Sequence, residues 1–311
     1  MKNHSKADSR HGRVIDFHTH FHLQWHELTG KARHHSNRAD PLGAALRWLV
    51  WRQFEALRYR YIISRKSLLE APAERIISRI IRSLAPEAGF NLIARMDKAG
   101  VSHAVVLALP PVVSNESVLE ECGGSDRLIP FISPRCDLPP EPQIERLLVA
   151  GGRGIKLHPV VQNLRVDGDY VTRVAQMAAG RKLPLVIHAG GSGRLFGMAG
   201  DHRTEPFEFA RLASRVPEAS IVVSHAGLWE YPEIIEAICP YRNLFLDISL
   251  QSPEAIRFIA DRIPLNRILL GSDSPVGNVA IILEHIALAG LSKNESSAIC
   301  WENAAMLLGL S

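Results

Sequence analysis

The chain has 311 residues, 46% of them hydrophobic, enough to bury a sizeable core in one large or two ordinary domains. A formal charge of +4 and a pI near 9.0 are mild, which argues against a dedicated nucleic-acid binder and leaves room for anionic small ligands. Cys122, Cys136, Cys239 and Cys300 stand far apart with no CxxC spacing, which disfavours a thiolate zinc site or a disulfide scaffold and fits a reducing cytoplasm. The polar opening segment has no secretory-leader pattern and no run of about 18 apolar residues occurs, so neither secretion nor membrane spanning is expected.

Residues 1–12, rich in His, Ser and charge, are expected to form a disordered lead-in. A first strand over about Arg13–His18 follows and ends in Asp16-Phe17-His18-Thr19-His20. Side chains alternate faces along a strand, so regular alternation would put Asp16, His18 and His20 on one side, with the imidazoles roughly 7 Å apart. With 14 histidines in the chain, such a pair by itself is weak evidence for a metal site. From Phe21 to about Phe90 the texture becomes aromatic and arginine-rich, with helical periodicity in Pro41–Tyr61 and Ala73–Leu84, and reads as a helical cap insertion. Between Lys31 and Lys66 this segment carries nine Lys/Arg against Asp40 and Glu55. That pattern fits a solvated helix face first and an anion-attracting lid second.

Short apolar runs then alternate with helical patterns to the C-terminus. The expected strands are His103–Leu109, Leu128–Ser133, Gly154–His158, Pro184–His188, Ile221–His225, Asn243–Ile248 and Asn266–Leu270. Expected helices include Asn91–Ala99, Gln143–Ala150, Tyr170–Ala179, Glu205–Ser214, Pro232–Ile238, Pro253–Asp261 and Val279–Ala289. Repeated strand–helix units call for a parallel sheet, and eight of them for closure into an α/β (β/α)8 TIM barrel, with an open doubly wound sheet as the alternative. A single barrel domain over 13–311, with the helical insertion at about 21–90 following strand one, is therefore expected.

Barrels of this kind carry their chemistry at the C-terminal strand ends. Here those ends are polar: His18-Thr19-His20 after strand one, Lys156-Leu157-His158 after strand four, His188 after strand five, Ser224-His225 after strand six and Gly271-Ser272-Asp273 after strand eight. Each has a bland reading on its own, as a hydrogen-bonded core histidine, a snorkelling lysine or a turn-forming aspartate. Alternation along strand four nonetheless puts Lys156 and His158 on the face opposite Ile155 and Leu157.

In order and setting, these residues resemble the amidohydrolase superfamily, specifically its amidohydrolase-2 branch, which is similar to aminocarboxymuconate semialdehyde decarboxylase and related hydrolases. The resemblance rests on Asp16-Phe17-His18-Thr19-His20, Gly154-Ile155-Lys156-Leu157-His158-Pro159, Ile187-His188-Ala189-Gly190, Ser224-His225-Ala226-Gly227, Gly271-Ser272-Asp273-Ser274-Pro275 and Glu302-Asn303-Ala304-Ala305. It implies that His18, His20, His188 and Asp273 are ligands of one divalent metal ion, zinc first, with manganese, iron or cobalt as alternatives. His225 becomes a general acid/base or a second-metal ligand, and Asp273 accepts the proton of a metal-activated water. Lys156, His158 and Arg194 are expected to bind the substrate, Lys156 through a carboxylate, with a carbamylated Lys156 bridging two metals as the lesser alternative.

The implied activity is metal-dependent hydrolysis of an amide, ester or lactone in a small carboxylated or cyclic substrate. Non-oxidative decarboxylation of an aromatic or muconate-type acid is the alternative, with a metal-free lactonase or a nuclease behind it. The expected partner is an anionic small molecule, with no nucleic acid and no membrane, and relatives of this kind are often homodimers.

Overall fold

A computed structural model of the protein describes residues 13–21, 91–190 and 204–310. The lead-in 1–12, nearly all of the 21–90 insertion, and Arg194 lie outside the described residues. Eight strands form one parallel sheet in sequential order: β1 Ile15–Thr19, β2 His103–Leu107, β3 Leu128–Ile132, β4 Gly154–Leu157, β5 Leu185–Ile187, β6 Ile221–Val223, β7 Leu244–Asp247 and β8 Ile268–Leu269. Backbone hydrogen bonds bring β8 back to β1: the Phe17 amide donates to the Leu270 carbonyl (2.9 Å), Asp273 to His18 (2.8 Å) and His20 to Ser274 (2.7 Å). The result is the (β/α)8 barrel that the alternation predicts.

The helices around it are α1 Leu92–Ala99, α2 Asn115–Cys122, α3 Pro140–Val149, the single turn α4 Pro159–Gln162, α5 Asp169–Gly180, α6 Pro206–Arg215, α7 Tyr231–Ile238, α8 Pro253–Ala260, α9 Val279–Leu288, α10 Lys293–Ser297 and α11 Asn303–Leu308. Several begin where the sequence supplies the right chemistry. The Ser114, Ser252 and Asn278 side chains accept N-terminal amides of α2, α8 and α9, and Ser292 with Glu295 forms a reciprocal capping box on α10. Helices α2, α4, α10 and α11 are not among the segments named from the sequence, because their apolar positions are too few for a clear 3.6-residue period over such short spans.

Alternation along the strands divides the core in two. Ala104, Val106, Ile155, Leu157, Leu185, Ile187, Ile221, Val223, Leu244 and Leu246 pack outward among the helices. Ile15, Phe17, Val105, Leu107, Ile129, Phe131, Val186, Val222, Phe245 and Leu269 fill the barrel interior, with Ala304, Ala305 and Leu308 of α11 closing its lower end. Gly154 has no side chain because the Phe131 ring occupies the space its Cβ would take.

Asn303 ties α11 to the approach of β8, donating from its amide to the carbonyls of Leu265 (2.7 Å) and Ile268 (2.8 Å). Asn303→Ala leaves two carbonyls without that donor and should lower stability by about 1–3 kcal/mol, read as a shift in urea midpoint at constant slope. An unchanged midpoint would show that water replaces the amide at no cost.

The described part of β1 departs from regular alternation. Its register with β2 pairs Asp16 with Ala104 but Thr19 with Val106, three residues against two, so β1 carries one extra residue there. Ala104 and Val106 face outward, and the extra residue lets Phe17 and His18 both turn toward the interior. Asp16 therefore does not share the face of His18. Its carboxylate instead accepts the Ser272 amide (2.8 Å) and hydroxyl (2.6 Å), fastening the turn that carries Asp273. Burial pushes the Asp16 carboxyl up to about 7, against the opposing pull of the Ser272 hydrogen bonds.

Candidate active site

The upper end of the barrel collects a buried polar cluster: His18, His20, Lys156, His158, His188, His225, Asp247 and Asp273. His18 stands at the centre. Its Nε2 lies 3.5 Å from Asp273 Oδ1 and its Nδ1 lies 2.9 Å from Asp247 Oδ2. His20 approaches the same Asp273 oxygen, Nε2 at 3.6 Å, while its Nδ1 is held by the Leu107 carbonyl at 2.8 Å. Ligand atoms of His18, His225 and Asp273 lie within 4.8 Å of one another. The ring centroids of His18 and His225 are 4.6 Å apart, those of His188 and His225 5.0 Å.

Local backbone geometry builds these positions. Gly271 must be glycine, since a Cβ there would sit 2.9 Å from His18 Cβ and 3.0 Å from Asp247 Oδ1. Asp273 (φ 58°) and His225 (φ 57°) both occupy the left-handed region. Such conformations cost of order 1–3 kcal/mol and persist where surrounding bonds over-determine them. For His225 those bonds are its amide to Asp247 Oδ1 (3.1 Å) and its carbonyl to Gln251 Nε2 (2.5 Å). The backbone of Gln251 is in turn held by His285 Nδ1 at 2.8 Å.

The strand-four residues face inward as alternation predicts. Lys156 is buried, and its Nζ donates to Ser224 Oγ at 3.1 Å. Burial pulls its ammonium down to about 8, partly countered by the charges of Asp247 and Asp273. His158 caps α4, its Nδ1 accepting the Val161 amide at 3.3 Å, and its ring stacks on His188 at 3.8 Å between centroids. His188 Nε2 meets the carbonyl of Gly190 at 2.9 Å, so the tightest donor set contains His225 where the sequence pattern points to His188.

Electrostatics favour uncharged imidazoles throughout. Burial first, and the positive charge of Lys156 next, push His20 and His188 down to about 3. Burial likewise holds His18, His158 and His225 well below the usual histidine range. Neutral imidazole nitrogens beside a carboxylate are a donor set that fits a divalent ion such as Zn²⁺, Mn²⁺, Fe²⁺ or Co²⁺.

Asp247 is the residue that the sequence pattern missed. Fully buried at the end of β7, it engages His18, the His225 amide and both the amide and hydroxyl of Ser249. It sits at a polar strand end within Asn243–Ile248, the same signal that marks the other site residues. Among the described residues, no helix is long and apolar enough to cross a membrane.

Comparison with known proteins bears on the family and the fold. The chain is similar in fold to 5-carboxyvanillate decarboxylase from Sphingomonas paucimobilis, with TM-score 0.64, 16% identity, and 96% of this chain and 99% of that one covered. It is also similar to 2,6-dihydroxybenzoate decarboxylase from Rhizobium, with TM-score 0.64, 14% identity, and 95% and 98% covered. A third similar structure is a putative 2-pyrone-4,6-dicarboxylic acid hydrolase from Pseudomonas putida, with TM-score 0.58, 15% identity, and 95% and 97% covered. At these identities the likeness carries the fold alone. No curated protein matches the sequence. The amidohydrolase family model matches residues 15–310, from the first residue of β1 to the end of the described chain, and so spans every strand that contributes to the site. By this match, and by the polar strand ends of its barrel, the chain belongs to the amidohydrolase family.

Proposed function

We propose that the protein is a metal-dependent hydrolase that cleaves an amide, ester or lactone bond in a small carboxylated or cyclic substrate. The observation that carries this reading is the pairing of Asp273 with two imidazole Nε2 atoms at 3.5 and 3.6 Å, beside a third, tethered imidazole, His225. Hydrolysis needs a group that takes a proton from water and a group that returns one to the leaving atom, and Asp273 and His225 form such a pair. His18, His20, His188 and Asp273 would hold the ion, zinc or one of its neighbours. When bound, the ion supplies Lewis-acid charge and acidifies water at the site.

This chain's residues supply the rest. Lys156, a buried cation with Ser224 as its partner, offers an anchor for a substrate carboxylate, with His158 beside it and Arg194, later in the sequence than β5, as a further candidate. Desolvation at a site this enclosed strengthens such a pairing, which favours the proposal of an anionic small molecule as partner. Decarboxylation is the second reading, favoured by the likeness to two aromatic-acid decarboxylases; there His225 would move the proton that replaces the carboxylate.

The test is a panel of aromatic, muconate-type and lactone carboxylic acids offered to the metal-loaded enzyme in ¹⁸O-labelled water. Label appearing in the product supports hydrolysis. Release of carbon dioxide with an unlabelled product would replace the hydrolase reading with the decarboxylase one.

A further inference from the structure

Asp247 belongs to neither proton-transfer role proposed above, yet its hydrogen bonds reach both halves of the site. Its Oδ1 accepts three donors: the His225 amide (3.1 Å), the Ser249 amide (3.0 Å) and the Ser249 hydroxyl. Its Oδ2 lies 2.9 Å from His18 Nδ1. Ser249 Oγ lies 2.7 Å from His225 Nδ1. A serine hydroxyl has a single hydrogen. Because that hydrogen goes to Asp247, the contact to His225 must be made with the oxygen as acceptor, so His225 Nδ1 is the protonated ring nitrogen. A carboxylate oxygen also only accepts, so His18 Nδ1 is protonated too.

We infer that Asp247 is a positioning residue that sets the tautomers of two site histidines with one carboxylate: His18 directly and His225 through Ser249. The consequence is specific. His18 presents its Nε2 lone pair toward Asp273, as a metal ligand must, and His225 enters the reaction with a bare Nε2, so the proton it returns to the leaving atom is the one that Asp273 takes from water and passes to it. The inference rests on the metal-centre reading for its functional meaning, but the tautomers themselves follow from the hydrogen bonds alone.

Two substitutions separate the two arms. In Asp247→Asn the amide oxygen can keep the three Oδ1 contacts, while the amide nitrogen becomes a donor toward His18 Nδ1. His18 then flips to the Nε2–H form and loses its ligand lone pair. Ser249→Ala removes the acceptor of His225 and one of the three donors to Asp247 Oδ1, but leaves the Asp247 Oδ2 contact to His18 Nδ1 in place.

The experiment is ¹⁵N NMR of histidine-labelled protein, with single His→Gln variants for assignment, together with Zn²⁺ competition against a chelator. The expected result is Nδ1–H for His18 and His225 in the wild type. Asp247→Asn should convert His18 to Nε2–H and weaken Zn²⁺ binding by about 10–100-fold. Ser249→Ala should abolish the tautomer preference of His225 and leave His18 in its Nδ1–H form, since the Asp247 Oδ2 contact to His18 is kept. An Nε2–H signal from either histidine in the wild type overturns the inference without any variant having to fold. Unchanged Zn²⁺ affinity in Asp247→Asn, against a wild type that binds Zn²⁺, also overturns it. A wild type that binds no Zn²⁺ but shows both Nδ1–H signals would sink the metal reading and uphold the tautomer assignment.

Discussion

Asp273→Asn is expected to lower turnover by about 10²–10⁴-fold while the protein stays folded. The substitution is nearly isosteric, and asparagine tolerates the left-handed conformation (φ 58°) that Asp273 adopts, so the turn from Gly271 to Pro275 should survive. What disappears is the negative charge that lies 3.5 Å from His18 Nε2 and 3.6 Å from His20 Nε2, and with it the proposed metal ligand and proton acceptor. Turnover on whichever substrate the labelling experiment identifies is the measurement, read beside a thermal melt and the metal content per chain. Full turnover in Asp273→Asn would remove this residue from the chemistry. A collapsed melt would instead make it structural.

Phe17→Ala should cost about 3–5 kcal/mol of stability, the range for removing a fully buried aromatic ring. Phe17 is 0% exposed, and its ring meets Phe131 edge-to-face at 5.8 Å in the centre of the barrel interior. It also occupies the extra-residue segment of β1 that turns His18 inward. Loss of the ring therefore reaches the site through the backbone, and metal affinity should fall along with stability. Phe17→Leu, which keeps most of the volume, should recover most of both. Chemical denaturation and Zn²⁺ titration on the two variants provide the comparison. Equal stability losses in the two variants would mean that ring shape, rather than filled volume, is what the interior requires.

In the proposed reading the site uses two aspartates for opposite purposes. Asp247 is fully buried and surrounded by donors, which suits a fixed carboxylate that orients other groups. Asp273 lies nearer the opening, at 8% exposure, on a turn secured from behind by Asp16 and Ser272. Such a division lets one carboxylate meet substrate while the other keeps the imidazoles in place.

Much of this arrangement was legible in the order of residues. Parallel strands buried on both faces read as short apolar runs, and a residue that ends such a run at the open end of a barrel stands at the site whatever loop follows. That logic placed His18, His20, Lys156, His158, His188, His225 and Asp273 at one rim, and the structure brings all of them into one buried cluster. Alternation also correctly turned Lys156 inward, because β4 runs regularly beside β5.

Three features were decided only by the tertiary structure. The register shift in β1 separates Asp16 from His18, and no local pattern marks it, because an extra residue is defined by the partner strand rather than by the strand itself. Asp247 carries only the polar strand-end signal at the close of β7; what it does comes from the convergence of β1, β6 and β7, brought together from residues far apart in the chain. The direction of each imidazole was likewise undetermined by sequence, since the ring nitrogen that faces the centre depends on what holds the other one: Asp247 for His18, Leu107 for His20, Gly190 for His188 and Ser249 for His225. The sequence alone determined which residues arrive at the rim, because strand period and barrel closure are properties of local pattern. How they point was left to hydrogen bonds between distant segments, and those bonds exist only once the barrel has closed.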